Sequence, residues 1–330
     1  RKTKSANMNC GLGWLALGSS YSCLNGGFIM LVYDIEHLTK TYPGQAQPVN
    51  CEISLQIQAG EIFGMLGDNG AGKSTLVKQM ANLVQSSSGK ILLFDQLVGK
   101  DPLLVPRHVG YMPQDSLALN NLTLGEALYF TAHLRGLSRA AARQERDRLL
   151  ETWQIQDLRH KTSRQLSGGQ KRLLQLAVAM AGSPPVLILD EPTNDLDPVR
   201  RRQVWEILRR ENHELGTTII FITHDALEAE KIIQRVGILH AGKLVALGKP
   251  VDLKSGIDQM LRLELFFSPE EPPLLPDGLT PHVLDTGRWL VYIERLRAGE
   301  VLNSIDLDRV EDFRLYSATL EDLYLYYAHN

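Results

Sequence analysis

Apolar residues fall in short runs separated by polar, glycine or proline positions. Ile62-Phe63-Gly64-Met65-Leu66, Val186-Leu187-Ile188-Leu189 and Ile219-Ile220-Phe221-Ile222 are continuous, which predicts strands buried on both faces, as in a parallel sheet. Ile53-Ser54-Leu55-Gln56-Ile57 alternates and predicts a strand with one wet face. Leu31–Ile35, Gly89–Phe94 and Val109–Gln114 read as further strands, and Val236–Leu239 turns at Ala241-Gly242 into Lys243–Val245 as a hairpin. Helical spacing predicts helices at Leu76–Met80, at Lys171–Ala181 behind Ser167 as N-cap, at Val199–Leu215 and at Ala226–Gln234. From Leu124 to about Asp157 the chain is rich in Ala, Leu, Arg and Glu, with Leu128, Leu134, Leu149 and Leu150 at helical spacing. Residues 95–107, with Pro102 and Pro106 as breakers, read as a loop.

This order predicts an α/β domain over 30–255, with a parallel core and a helical subdomain inserted at about 115–182. Around Ser255-Gly256 the pattern changes. Leu261–Phe267, Arg288–Ile293 and Phe313–Tyr316 read as strands, Val301–Ile305 and Leu320–Ala328 as short helices, and the link from Pro269 to Gly278 is rich in proline and acid. Residues 256–330 are therefore expected to form a small α+β domain. Residues 1–29 are expected to be a disordered extension, with Met30 as the natural start: the stretch Gly18–Gly27 is rich in Gly, Ser and Asn, and Gly11–Leu17, behind Arg1, Lys2 and Lys4, has a faint look of a leader that a following nucleotide-using domain argues against. No run reaches the ~20 apolar residues of a membrane span.

Composition narrows the function classes. Of 330 residues, 44% are hydrophobic and 22% charged, and the net charge is −3; no basic surface points to nucleic acid. Cys10, Cys23 and Cys51 show neither paired nor metal-ligand spacing, which fits a reducing compartment without disulfides.

The chemistry centres on Gly67-Asp68-Asn69-Gly70-Ala71-Gly72-Lys73-Ser74-Thr75, set between a buried strand and a helix. That context makes the stretch a phosphate-binding loop. Glycines let successive N–H groups curl toward phosphate oxygens, the following helix presents its positive end, Lys73 supplies a mobile charge for β- and γ-phosphates, and Ser74 offers a hydroxyl to Mg²⁺. Asp190 and Glu191 end another buried strand, at the carboxyl edge where ligands sit in open α/β sheets. Tyr42, just before the first sheet, fits either an aromatic stacked on adenine or a packed surface tyrosine.

Five signals lie in one order: the phosphate loop, Gln114, Leu166-Ser167-Gly168-Gly169-Gln170, Leu189-Asp190-Glu191-Pro192, and His224. Over about residues 31–255 the chain resembles the nucleotide-binding subunit of an ATP-binding cassette (ABC) transporter. The resemblance implies a P-loop NTPase of the ABC type, with a mixed sheet and an inserted helical subdomain. It implies an ATPase with ATP and Mg²⁺ as ligands. Tyr42, Gly67, Asn69, Gly70, Ala71, Gly72, Lys73, Ser74 and Thr75 would then hold ATP, and Ser74, Gln114 and Asp190 the Mg²⁺. Glu191 would polarise the attacking water, with His224 and Gln114 assisting at the γ-phosphate. Ser167, Gly168, Gly169 and Gln170 would bind the ATP of a second subunit, homo- or heterodimeric, in a head-to-tail pair. Asn194-Asp195-Leu196-Asp197 resembles the segment that crosses between partners, departing from its commoner small-residue form at Asn194 and Asp195. Asp68 stands where proline is common in relatives. The resemblance further implies a peripheral protein on the cytoplasmic face of a membrane, bound to separate permease chains. The ending Thr319-Leu320-Glu321-Asp322-Leu323-Tyr324-Leu325 suggests the exporter branch. An importer motor and a non-transport ABC protein are the alternatives.

Overall fold

A computed structural model describes residues 21–24, 27–114, 121–223, 230–255, 260–276, 278–320, 322–323 and 326. The chain forms two compact units, one ending at Leu247 and one beginning at Gly248.

The first unit contains two sheets. Strands β1 (Tyr21–Leu24), β2 (Gly27–Lys40), β3 (Asn50–Gln58), β5 (Ser88–Leu93) and β6 (Gln96–Leu97) form one, with β2 between β3 and β5 and antiparallel to both. The other has the order β11-β10-β4-β9-β8-β7, from β4 (Ile62–Leu66), β7 (Val109–Met112), β8 (Val186–Asp190), β9 (Thr218–Ile222), β10 (Arg235–His240) and β11 (Lys243–Gly248). Its inner pairs, β10 with β4, β4 with β9, β9 with β8 and β8 with β7, are parallel. Every residue of β4, β8 and β9 is buried, whereas β3 alternates between buried and exposed, as their patterns predict. One core joins the two sheets: Tyr33, Ile35, Ile53 and Leu55 pack with Phe63, Leu76, Val77, Met80, Ile188 and Ile220. Helices α1 (Lys73–Met80) and α6 (Pro198–Leu215) accompany this sheet, and α3 (Leu124–Leu134), α4 (Arg139–Thr152) and α5 (Gly168–Met180) lie between β7 and β8 in sequence.

Several expectations differ from what is found. Within 95–107 the chain forms β6 and the start of a short helix, α2 (Leu104–His108). Pro106 is tolerated there because the first-turn N–H groups of a helix have no intrahelical acceptor. Tyr21–Leu24 pairs antiparallel with Gly27–Met30, extending β2 backward into the stretch expected to be unstructured. Residues 230–234 form a turn rather than the end of a helix, and the rest of that expected helix lies outside the described residues.

In the second unit α7 (Pro250–Ser255) precedes an antiparallel sheet of order β13-β14-β12-β15, built from β12 (Met260–Phe266), β13 (His282–Asp285), β14 (Arg288–Glu294) and β15 (Asp312–Tyr316). Helix α8 (Ala298–Ser304) covers it through Val301, which packs with Leu263, Leu265, Val291 and Ile293. The division precedes α7, whereas the sequence pattern changes only after it. Glu321, Tyr324 and Leu325 of the chain's ending lie outside the described residues.

Candidate functional site

The site begins where β4 ends. Gly67 has φ 151°, and a Cβ there would lie 2.2 Å from the Leu239 carbonyl oxygen of the neighbouring β10. Gly72 has φ 98°, and a Cβ would meet the Val49 carbonyl oxygen and Asn50 Nδ2, each at 2.5 Å. Only glycine lets the chain pass both points. Gly72 also caps α1 without any side-chain hydrogen bond, so the first amides of α1 are left for an anion. Lys73 folds back over the loop, its Nζ donating to the carbonyls of Gly67 at 2.6 Å and Asp68 at 2.8 Å. Burial pushes the Lys73 ammonium below the ordinary lysine range, and Glu191, Asp190 and Asp68 partly hold it up.

Opposite the loop, β8 delivers Asp190, 2% exposed, and Glu191, 7% exposed. Burial raises the Asp190 carboxyl, a hydrogen bond with the Ser74 side chain lowers it, Glu191 raises it again, and Lys78 and Lys73 lower it. Glu191 has φ 53°, a left-handed conformation unfavourable for a side-chain-bearing residue, and its N–H donates to the Ile222 carbonyl at the end of β9, 2.9 Å away. Burial, with the Asp190 charge adding to it, pushes the Tyr111 phenol on β7 up to about 12.

Asn69, Gly70, Gly72, Lys73, Ser74, Thr75, Gln114, Asp190 and Glu191 line one cleft of about 230 Å³, together with Val49 and Ile222. Polar donors from the loop thus face two carboxylates. Ser74, Asp190 and Gln114 are all oxygen donors, a set that suits Mg²⁺; Ser74 hydrogen-bonds Asp190, and Gln114 lines the same cleft.

The sequence reading missed the support behind the loop. Asn50, fully buried, donates from Nδ2 to the Gly72 carbonyl at 3.1 Å and accepts from Gln79 Nε2 at 2.9 Å. Gln79 Nε2 also reaches the Thr75 carbonyl at 3.3 Å. The two amides tie the start and body of α1 to β3. A lone asparagine at the head of an alternating strand carries no motif; its only signal is a polar side chain at a buried position. Asn50→Ala removes two buried hydrogen bonds, while the Gly72 carbonyl keeps the Leu76 N–H and the Gln79 amide keeps the Thr75 carbonyl, so at ~0.5–1.5 kcal/mol per bond it should cost about 1–3 kcal/mol of unfolding free energy. Urea unfolding of the nucleotide-free protein measures this, and a variant within about 0.5 kcal/mol of wild type, the spread of neutral substitutions, would remove the clamp from the account.

The remaining expected residues lie elsewhere. Ser167 caps α5 in a reciprocal box with Gln170: Gln170 N–H donates to Ser167 Oγ at 3.4 Å, and Ser167 N–H to Gln170 Oε1 at 3.0 Å. The Gln170 side chain is thereby turned back onto the Ser167 backbone. None of Ser167, Gly168, Gly169 and Gln170 is among the residues lining the cleft. Gly169 packs on the Asn194–Asp197 segment, where an added Cβ would lie 3.4 Å from the Asp195 carbonyl oxygen. Tyr42 lies in the turn after β2, outside the cleft lining, with Lys40 Nζ 5.0 Å from its ring centroid. His224 is outside the described residues.

A phosphate loop on a buried parallel strand, faced by paired acids on the strand one place removed, defines a P-loop ATPase. Residues 51–194 match the family model for ABC transporters. The chain is 32% identical over 242 residues to rat ATP-binding cassette sub-family A member 2, covering 73% of this chain and 10% of that protein. It is 36% identical over 220 residues to human phospholipid-transporting ATPase ABCA7, covering 67% of this chain and 10% of that protein. It superposes on the dimeric structure of MJ0796, a bacterial ABC transporter cassette, with TM-score 0.62 at 24% identity, covering 66% of this chain and 98% of that one; this likeness shows the fold. The chain spans about a tenth of the length of these two curated relatives. It carries the nucleotide-binding ATPase cassette of the ABC transporter family. No helix among the described residues is long and apolar enough to cross a membrane.

Proposed function

We propose that the cassette is the ATP-driven motor of an exporter, pairing head to tail with a second cassette around two MgATP and driving a membrane permease carried on a separate chain. The observation that carries the pairing is the incomplete cleft: the phosphate loop and both acids line it, and the Ser167–Gln170 turn of the same chain does not. Within each half, Lys73 and the loop amides hold the β- and γ-phosphates, Ser74, Asp190 and Gln114 hold Mg²⁺, and Glu191 takes a proton from the attacking water. Mg²⁺, when bound, offsets charge on the phosphate oxygens. His224 is expected to orient the γ-phosphate. Tyr42 is kept as the adenine contact. Ser167, Gly168 and Gly169 present hydroxyl and amide donors to the nucleotide of the partner cassette. The name of the ABCA7 relative supports phospholipid as cargo, while the export direction rests on the resemblance of the chain's ending.

Sedimentation of the hydrolysis-impaired Glu191→Gln protein tests the pairing. A dimer is expected with MgATP and a monomer with MgADP, and adding Ser167→Arg should abolish the dimer. A single species in both nucleotides would sink the shared site. Affinity purification from membranes tests the partner: recovery without any further membrane-spanning polypeptide would overturn the separate permease.

A further inference from the structure

Arg172 sits in the second turn of α5, one turn beyond the Ser167 cap, and is only 6% exposed. Its guanidinium reaches two segments far apart in sequence. Nη1 donates to the Gln114 backbone carbonyl at 3.2 Å and to Gln175 Oε1 at 3.3 Å. Nε donates to the Asn194 carbonyl at 3.3 Å. Nη2 lies 3.9 Å from Asp195 Oδ2. Gln114 lines the cleft, whereas Asn194 and Asp195 follow the paired acids, with Asp195 against the start of α5.

We propose that Arg172 is a positioning residue for hydrolysis, its guanidinium holding Gln114 and the Asn194–Asp195 segment in one register with the signature turn that opens α5. The inference rests on the reading of Gln114 as a ligand-sensing side chain of the cleft. A guanidinium suits this task because its donors are fixed in one plane, so two carbonyls bound to it are fixed relative to each other. Any shift at the start of α5 then moves the Gln114 backbone. The partner cassette is proposed to act on that same turn, so its engagement would be felt at the attacking water. Lysine cannot substitute, since one ammonium on a flexible stem does not hold two separate carbonyls in a plane.

The test uses the whole protein in its membrane assembly. Arg172→Ala should lower kcat for ATP by about 10–100-fold, the scale of a misplacement near 1 Å in an active site. KM and the dissociation constant of a fluorescent ATP analogue should stay within about twofold, because Lys73 and the loop are untouched. Arg172→Lys should recover little of the loss. In a Gln114→Ala background, Arg172→Ala should cost markedly less than in wild type, since one of the two groups it positions is already gone. Wild-type turnover in Arg172→Ala beside an impaired Gln114→Ala overturns the proposal alone. Strictly multiplicative losses in the double variant, or a matching loss of nucleotide affinity and melting temperature, also overturn it, because they mark an independent or merely structural arginine. Wild-type turnover in Gln114→Ala instead overturns the reading of Gln114 on which the proposal stands.

Discussion

Glutamine at position 191 lowers kcat for ATP by about 10²–10⁴-fold, the usual contribution of a positioned general base, while MgATP still binds. The substitution keeps the shape of the side chain and removes its ability to accept a proton. It also keeps the backbone contact that sets the residue, since the Glu191 N–H donates to the Ile222 carbonyl regardless of side chain. That backbone bond to the end of β9 supports the left-handed conformation at φ 53°. Losing this charge has two electrostatic consequences. Asp190 loses a like charge that raises its carboxyl, so it is more readily ionised in the variant. Lys73 loses the largest of the charges that support its ammonium, a deficit that ATP phosphates offset when bound. Nucleotide affinity should therefore survive a change that stops chemistry. Quenched-flow hydrolysis together with equilibrium ATP binding separates the two. Turnover within about threefold of wild type would assign the base elsewhere, because loss of a true base costs at least two decades.

How much of this was legible in the sequence follows from where each residue's partners lie. Strands β4, β8 and β9 announce themselves because both faces are buried, so apolar residues fill all but their end positions. The α5 cap announces itself because Ser167 and Gln170 are three residues apart and satisfy each other. Strand β13 gave no signal because all four of its residues are exposed, leaving neither alternation nor an apolar run. Helix α2 was masked by Pro106, which is a breaker in a helix interior but harmless in a first turn. The supports of the site were hidden for a different reason. Asn50 and Gln79 are 29 residues apart, and Arg172 and Gln114 are 58 apart. A buried amide pair and a buried guanidinium owe their meaning to tertiary contacts, so in the sequence each is simply a polar residue beside an apolar one. The residues of the phosphate loop are contiguous, and that is why the loop stands out in the sequence while the groups behind it do not.

Removing the charge at position 73 should weaken ATP binding by about 10–100-fold, as expected from one charge-assisted hydrogen bond of ~1.5–3 kcal/mol at 1.4 kcal/mol per tenfold. Lys73 Nζ donates to the Gly67 and Asp68 carbonyls, so part of a phosphate interaction replaces existing bonds, and the net loss belongs in this range rather than above it. The alanine variant should keep its fold, because the loop's shape is set by Gly67 and Gly72 and by the Asn50 amide behind them. Arginine should not rescue binding, since its planar fork cannot fold back into a space built around a single ammonium. A pH series gives a second, independent signature. Burial lowers the Lys73 pKa in the free protein, so the ammonium is lost on the alkaline side at a lower pH than for an ordinary lysine. Wild-type affinity for ATP should then fall as pH rises through that range, where the lysine must first recover its proton to bind phosphate, and the limb should be absent from Lys73→Ala. Calorimetric titration across neutral and alkaline pH reads both effects. An alanine variant that binds ATP as tightly as wild type, with the same alkaline limb, would show that the phosphates are neutralised by some other group.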